Sequence, residues 1–200
     1  MDDLDPAAPI GNADEGDARR TANFGVDGTG DFPPGDPGLD LPPSFAVATI
    51  TFSVQKAMQF LQQCETSQPR VTYGLGKKIA AGQVPGRDFT QVDCSGFVRE
   101  TIRWATDLGD SFPDGSVVQH DWVKAKGFAA DTVASGSSHD GAVRIAFLPP
   151  GATASGIGHV ALIHNGMTIE SHGEVGPDSR PWTDDRWQAK TSLYILADAD

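Results

Sequence analysis

The sequence predicts an α+β domain with N-terminal helices packed on an antiparallel β-sheet, preceded by a disordered tail. Three observations lead there. Residues 1–44 hold ten of the chain's 27 acidic residues, with seven Gly and seven Pro. Such a segment buries too little apolar surface to offset its ordering entropy. From Phe45 onward apolar residues recur at helical spacing, and after Gly141 the period changes to two. Helices first and strands afterwards is the order of an α+β fold.

The expected domain spans 45–200. Val54, Ala57, Met58, Leu61 and Cys64 form the stripe of a first helix, with Thr51 or Ser53 as N-cap and Pro69 closing it. A Gly-rich loop, Tyr73-Gly74-Leu75-Gly76, leads into a polar stretch. A second helix starts at Asp93 or Cys94 and buries Phe97, Val98, Thr101, Ile102 and Ala105 before Gly109. A third is expected over 116–126, with Val118, Trp122 and Ala125 inward and Gly127 as its stop. Val143, Ile145 and Phe147 alternate with Ala142, Arg144 and Ala146 up to Pro149-Pro150, which reads as a strand. His159 to His164 and Met167 to His172 are two strands of a hairpin closed by Asn165-Gly166, and Ser192 to Leu196 is a last strand.

Composition excludes several functions. With 38% hydrophobic and 21% charged residues, the chain can build one folded body. It has no apolar run long enough for a membrane span. The net charge of −12 argues against nucleic acid as a partner. Residues 45–200 carry 17 acidic and 13 basic residues, so most of the acidity belongs to the tail. Two cysteines make no disulfide framework. Cys64 completes an apolar helical stripe and reads as a buried structural thiol.

Cys94 is different. It lies in the first turn of the second helix, where the helix dipole and unpaired amides favour a thiolate. Counting back three and four from Phe97 and Val98 returns to it, so its side chain leans toward the body. The Asn165-Gly166 turn pairs His164 with Met167 and Leu162 with Ile169, and by extension Ala161 with Glu170 and His159 with His172. One face of the hairpin then carries Val160, Leu162 and Ile169. The other gathers His159, Glu170 and His172 around the small Ala161. A general base and a group to orient it need such an arrangement beside a thiol.

Asp93-Cys94-Ser95-Gly96-Phe97 followed by Gly158-His159-Val160 resembles the NlpC-type cell-wall cysteine peptidase family, papain-like in fold. Tyr73-Gly74-Leu75-Gly76 resembles that family's upstream Tyr-x-x-Gly element, and Gln119 resembles a Gln often found there. The match spans about residues 50–197, with Cys before His as in the peptidases rather than in their permuted acyltransferase relatives. The gap from Tyr73 to Cys94 is longer than the family's usual one, which implies a loop insertion near the cleft.

The resemblance implies cleavage of an amide bond in peptidoglycan stem peptides, usually between γ-D-glutamyl and a diamino acid, without a cofactor or metal. Cys94 would be the nucleophile and His159 its base. Tyr73 and Ser95 would bind substrate. The third catalytic residue is open. Imidazole, the family's usual choice, points to His172, whereas the hairpin register puts Glu170 at the family's position.

Two other readings use the same residues. His159, Glu170 and His172, with or without Cys94, are potential metal ligands of a metal-dependent hydrolase. Alternatively, a peptidase shell serves as a non-catalytic binding module. The start Met1-Asp2-Asp3-Leu4-Asp5-Pro6 is unlike a Sec signal. The expectation is synthesis in the cytoplasm and action on the cell wall after non-Sec export or phage release. Secretion machinery or an immunity protein would be the partners of an exported effector.

Overall fold

A computed structural model describes residues 48–153, 156–173 and 175–198; the tail expected over 1–44 lies outside them. The first helix, α1 (Val54–Thr66), starts at Ser53, whose hydroxyl accepts from the Lys56 amide at 3.3 Å. It buries Ala57, Phe60, Leu61 and Cys64. Met58, expected on that stripe, is 42% exposed. Phe60 takes its place because residues 57, 60, 61 and 64 share one face at 3.6 residues per turn. Its ring stacks on Phe97 and Trp104, with centroids 5.5 and 5.4 Å away.

Two short strands, β1 (Thr72–Tyr73) and β2 (Gln91–Val92), pair in parallel and bracket the long loop between them. The second helix, α2 (Cys94–Ala105), buries the expected face of Phe97, Val98, Thr101, Ile102 and Ala105. The third, α3 (Ser116–Ala125), is rotated from expectation. It buries Gln119 and Val123, while Val118 is 54% exposed and Ala125 faces solvent. The Gln119 side-chain nitrogen donates to the carbonyls of Ser95 and Pro113 at 2.9 and 3.0 Å, which satisfies its donors at the inward position, while its buried Oε1 has no partner among the described residues. Trp122 is half-buried against Phe112 and Phe128.

The sheet comprises β3 (Ala130–Asp131), β4 (Val143–Leu148), β5 (His159–His164), β6 (Met167–His172), β7 (Gly176–Asp178) and β8 (Ser192–Ala197). Its six strands run antiparallel in the order β3-β8-β4-β5-β6-β7. All of β4 is buried, because both faces of the sheet are covered. On one face Val143, Ile145, Phe147, Val160, Leu162 and Ile169 join α1 and α2 in the main core. On the other, Ala146, Ile163 and Leu193 pack beneath Trp182, Val133 and Trp187. Arg144 is buried on this second face and is held by Asp131 and Asp140, each at 2.6 Å.

Asn165 and Gly166 both have left-handed backbones, with φ of 47° and 73°. That is the geometry of a two-residue hairpin turn whose twist matches the strands. The pairs His164–Met167 and Leu162–Ile169 follow as expected, but the ladder between β5 and β6 stops there. The expected His159–His172 and Ala161–Glu170 pairs are absent, and on their other edges His159 pairs with Leu148 of β4 while Glu170 and His172 pair with Asp178 and Gly176 of β7. The end of β6 is held from elsewhere, by β7 and by the Ser171 hydroxyl, which donates to the Val92 carbonyl at 3.0 Å.

Candidate active site

Cys94 is the first residue of α2 and is 5% exposed. The Asp93 carboxylate fixes this helix start. It accepts from the Gly96 amide at 2.7 Å and from the Gly76 amide at 3.1 Å. Lys78, from the loop between β1 and β2, places its ammonium 2.7 Å from Asp93 and 2.6 Å from the Ser95 hydroxyl. A second carboxylate, Asp114, receives the same ammonium at 3.0 Å. A buried carboxylate needs such a set of donors. The loop between β1 and β2 thus braces the turn that presents the thiol.

Three elements meet at His159, the first residue of β5. The Cys94 side chain is its neighbour on one side, close enough to raise the His159 pKa. On the other, its Nε2 lies 2.6 Å from the Glu170 carboxylate on β6. With Nε2 committed to Glu170, Nδ1 is the nitrogen left for the thiol. Glu170 is fully buried, and its remaining demand is met by the Thr168 hydroxyl at 2.7 Å and by Arg180 at 2.7 and 3.1 Å. Burial alone would push the His159 pKa down, but Cys94 and Glu170 outweigh it and hold the imidazole near 9. Burial would likewise raise Glu170, and its bonds to His159 and Arg180 reverse that, holding the carboxyl near 2. Glu170 is therefore an anion at neutral pH that favours the imidazolium.

His172 does not orient His159. Its Nε2 points to Asp178 at 3.4 Å, and Glu170 holds the orienting position. Strand alternation puts both on the face of His159, and their partners distinguish them: Glu170 bonds His159 and Arg180, and His172 turns to Asp178. Tyr73 is half-buried at the end of β1, and its hydroxyl is pushed up to about 12 by burial and by the charges of Cys94 and Asp93. It stays protonated beside the thiol. Ser95, expected to bind substrate, is buried, with its hydroxyl shared between Lys78 and Asp93 at 2.6 and 3.2 Å. It braces the helix start and does not line the cleft.

A cleft of about 310 Å3 opens at His159, lined by Leu148, His159, His172, Gly173, Arg180 and Trp187. His159 meets the Trp187 ring edge-on at 5.0 Å, and the Arg180 guanidinium lies over the same ring at 5.2 Å. No protein-family model matches the chain, and no curated protein matches it significantly. Among the described residues, no group of three or more His, Cys, Asp or Glu is arranged to hold a metal ion. No helix among them is long and apolar enough to cross a membrane.

Lys78 escapes sequence reasoning, whereas strand alternation puts Thr168 on the face of His159 and Glu170, and Arg180 with Trp187 reads from the sequence as a cleft-rim candidate. Arg180 lies in an irregular segment with no periodicity to assign it a face, and Lys78 lies in a polar loop. Trp187 is visible in the sequence as a cleft-rim residue, although packing on the sheet is the simpler expectation; the structure gives it both roles.

Proposed function

We propose that the protein is a thiol-dependent amide hydrolase acting on peptidoglycan stem peptides, with an NlpC-like papain arrangement of its site. The observation that carries this reading is the array of thiol, imidazole and buried carboxylate. Cys94 stands at a helix start, His159 is its neighbour, and the His159 Nε2 is 2.6 Å from the Glu170 carboxylate. A nucleophile, its base and an anion orienting the base are the requirements for acyl transfer through a thioester.

In this mechanism the Cys94 thiolate attacks the scissile carbonyl. The negative charge that develops on oxygen faces the backbone amide of Cys94 at the start of α2. The intermediate collapses as the C–N bond breaks, and the imidazolium of His159 gives its proton to the leaving amine. Neutral His159 then takes a proton from water, which attacks the thioester and releases the acid and the thiolate. Glu170 holds the Nε2 proton throughout and does not itself exchange it. The substrate class rests on the resemblance of Asp93-Cys94-Ser95-Gly96-Phe97 and Gly158-His159-Val160 to cell-wall peptidases.

The test is mass spectrometry of peptidoglycan fragments incubated with the wild type and with Cys94→Ala. The expected result is new stem-peptide fragments from the wild type alone. Cleavage by both proteins would remove Cys94 from the mechanism, and cleavage by neither would overturn the substrate class.

A further inference from the structure

Arg180 binds Glu170 side-on. Its Nε donates to one carboxylate oxygen at 2.7 Å and one Nη to the other at 3.1 Å. A guanidinium has five N–H donors in a fixed plane, and this mode uses two of them. The end-on edge, one hydrogen from each Nη, is left over and forms a second planar fork of the kind that pairs with a carboxylate. The Arg180 side chain is 35% exposed, lines the cleft, and lies over the Trp187 ring at 5.2 Å. The opposite edge is locked by a fully buried anion, so the fork is preorganised.

We propose that the end-on edge of Arg180 is a carboxylate-binding subsite, and that the enzyme selects peptides carrying a free carboxylate beside the scissile amide. This rests on the hydrolase reading above and adds to it the feature of the substrate that is recognised. The proximity follows from the shared wall. Arg180 and His159 line one cleft and pack on one indole ring, so a ligand on Arg180 lies within about one residue's length of the base. Stem peptides offer this chemistry, because a γ-linked glutamyl residue keeps its α-carboxylate free. His172 borders the same cleft and supplies a further polar edge.

The experiment uses stem-peptide substrates in which each carboxylate flanking the scissile bond is replaced in turn by a carboxamide. Wild-type kcat/KM is measured on each, and binding of each to Cys94→Ala is measured by calorimetry. One replacement is expected to lower kcat/KM by about 10- to 100-fold, mostly through KM, as loss of a charge-assisted pair does. In Arg180→Gln, acid and amide should be processed with equal efficiency, whatever the absolute rate. Equal turnover of all forms by the wild type would overturn the proposal, even if Arg180→Gln does not fold. If nothing is cut but Cys94→Ala prefers the acid, the subsite stands and the hydrolase reading falls. If nothing is cut and nothing binds, both fall.

Discussion

At the residue scale, the balance between His159 and Glu170 sets the chemistry. The imidazole is held near 9, against an ordinary value of 6.5, by Cys94 and Glu170 acting against burial. The leaving amine needs the imidazolium proton, so kcat/KM should hold through neutral pH and fall as pH rises through about 9. Glu170→Gln removes the anion that favours the charged ring. Its alkaline limb should move down toward 6.5, with kcat/KM lowered by about 10²- to 10³-fold near pH 8. The pH–rate profiles of both proteins check this, and an unmoved limb would show that Glu170 does not set the protonation of His159. Arg180→Gln should move the limb the other way, to slightly higher pH, because it removes a cation that partly neutralises Glu170 and leaves the anion beside His159 in place.

At the element scale, two supports position the reacting groups. The start of α2 depends on Asp93, which caps the helix and collects the amide of Gly76 and the ammonium of Lys78. Asp93→Ala should cost about 1–3 kcal/mol in urea unfolding, since it removes a cap and leaves Lys78 with Asp114 as its remaining carboxylate partner. It should also lower kcat, because the turn bearing Cys94 loses its brace. The second support is the Trp wall. A Cβ at Gly136 would lie 2.4 Å from Trp182 Nε1, the atom that donates to the Val133 carbonyl at 2.8 Å. Trp182 packs edge-on against Trp187 at 5.7 Å. Gly136→Ala should therefore displace both rings and cost about 1–3 kcal/mol through overpacking. The checks are a changed near-UV circular dichroism spectrum and a raised KM.

At the scale of the whole molecule, the site is tied to stability. The Glu170 carboxyl is held near 2 from an ordinary 4.5, by His159 and Arg180 against the cost of burial. A depressed carboxyl pKa contributes stability that is present above about 4.5 and is lost as pH falls through about 2. The shift corresponds to about 3 kcal/mol. Wild-type unfolding free energy should fall across this window more steeply than that of Glu170→Gln, which is less stable at pH 7. Parallel curves from urea titrations at each pH would show that Glu170 is not the group responsible. The sheet makes this coupling possible: its main-core face anchors α2 and Cys94, while its other face carries the Trp wall that His159 meets edge-on. The reacting groups meet where β5 begins.

Much of this was legible in the sequence, for a physical reason. Helical and strand periods are local properties of the chain, so α2, the hairpin and the shared face of His159, Glu170 and His172 follow from spacing alone. The Asn165-Gly166 turn likewise sets its own register near the tip. Spacing does not decide what happens far from the tip. The hairpin register offers Glu170 at that position, but its pairing with His159, and the turn of His172 toward Asp178, depend on partners from distant segments, which no local period encodes. The inward turn of Gln119 depends on carbonyls of Ser95 and Pro113, and the exposure of Met58 on the fit of Phe60 between Phe97 and Trp104. Arg180 and Lys78 reach the site from irregular segments whose positions are set by long-range packing. The sequence by itself determined which groups are available and on which faces. Tertiary structure decided which of them touch, because a buried charge settles wherever the fold can supply its partners.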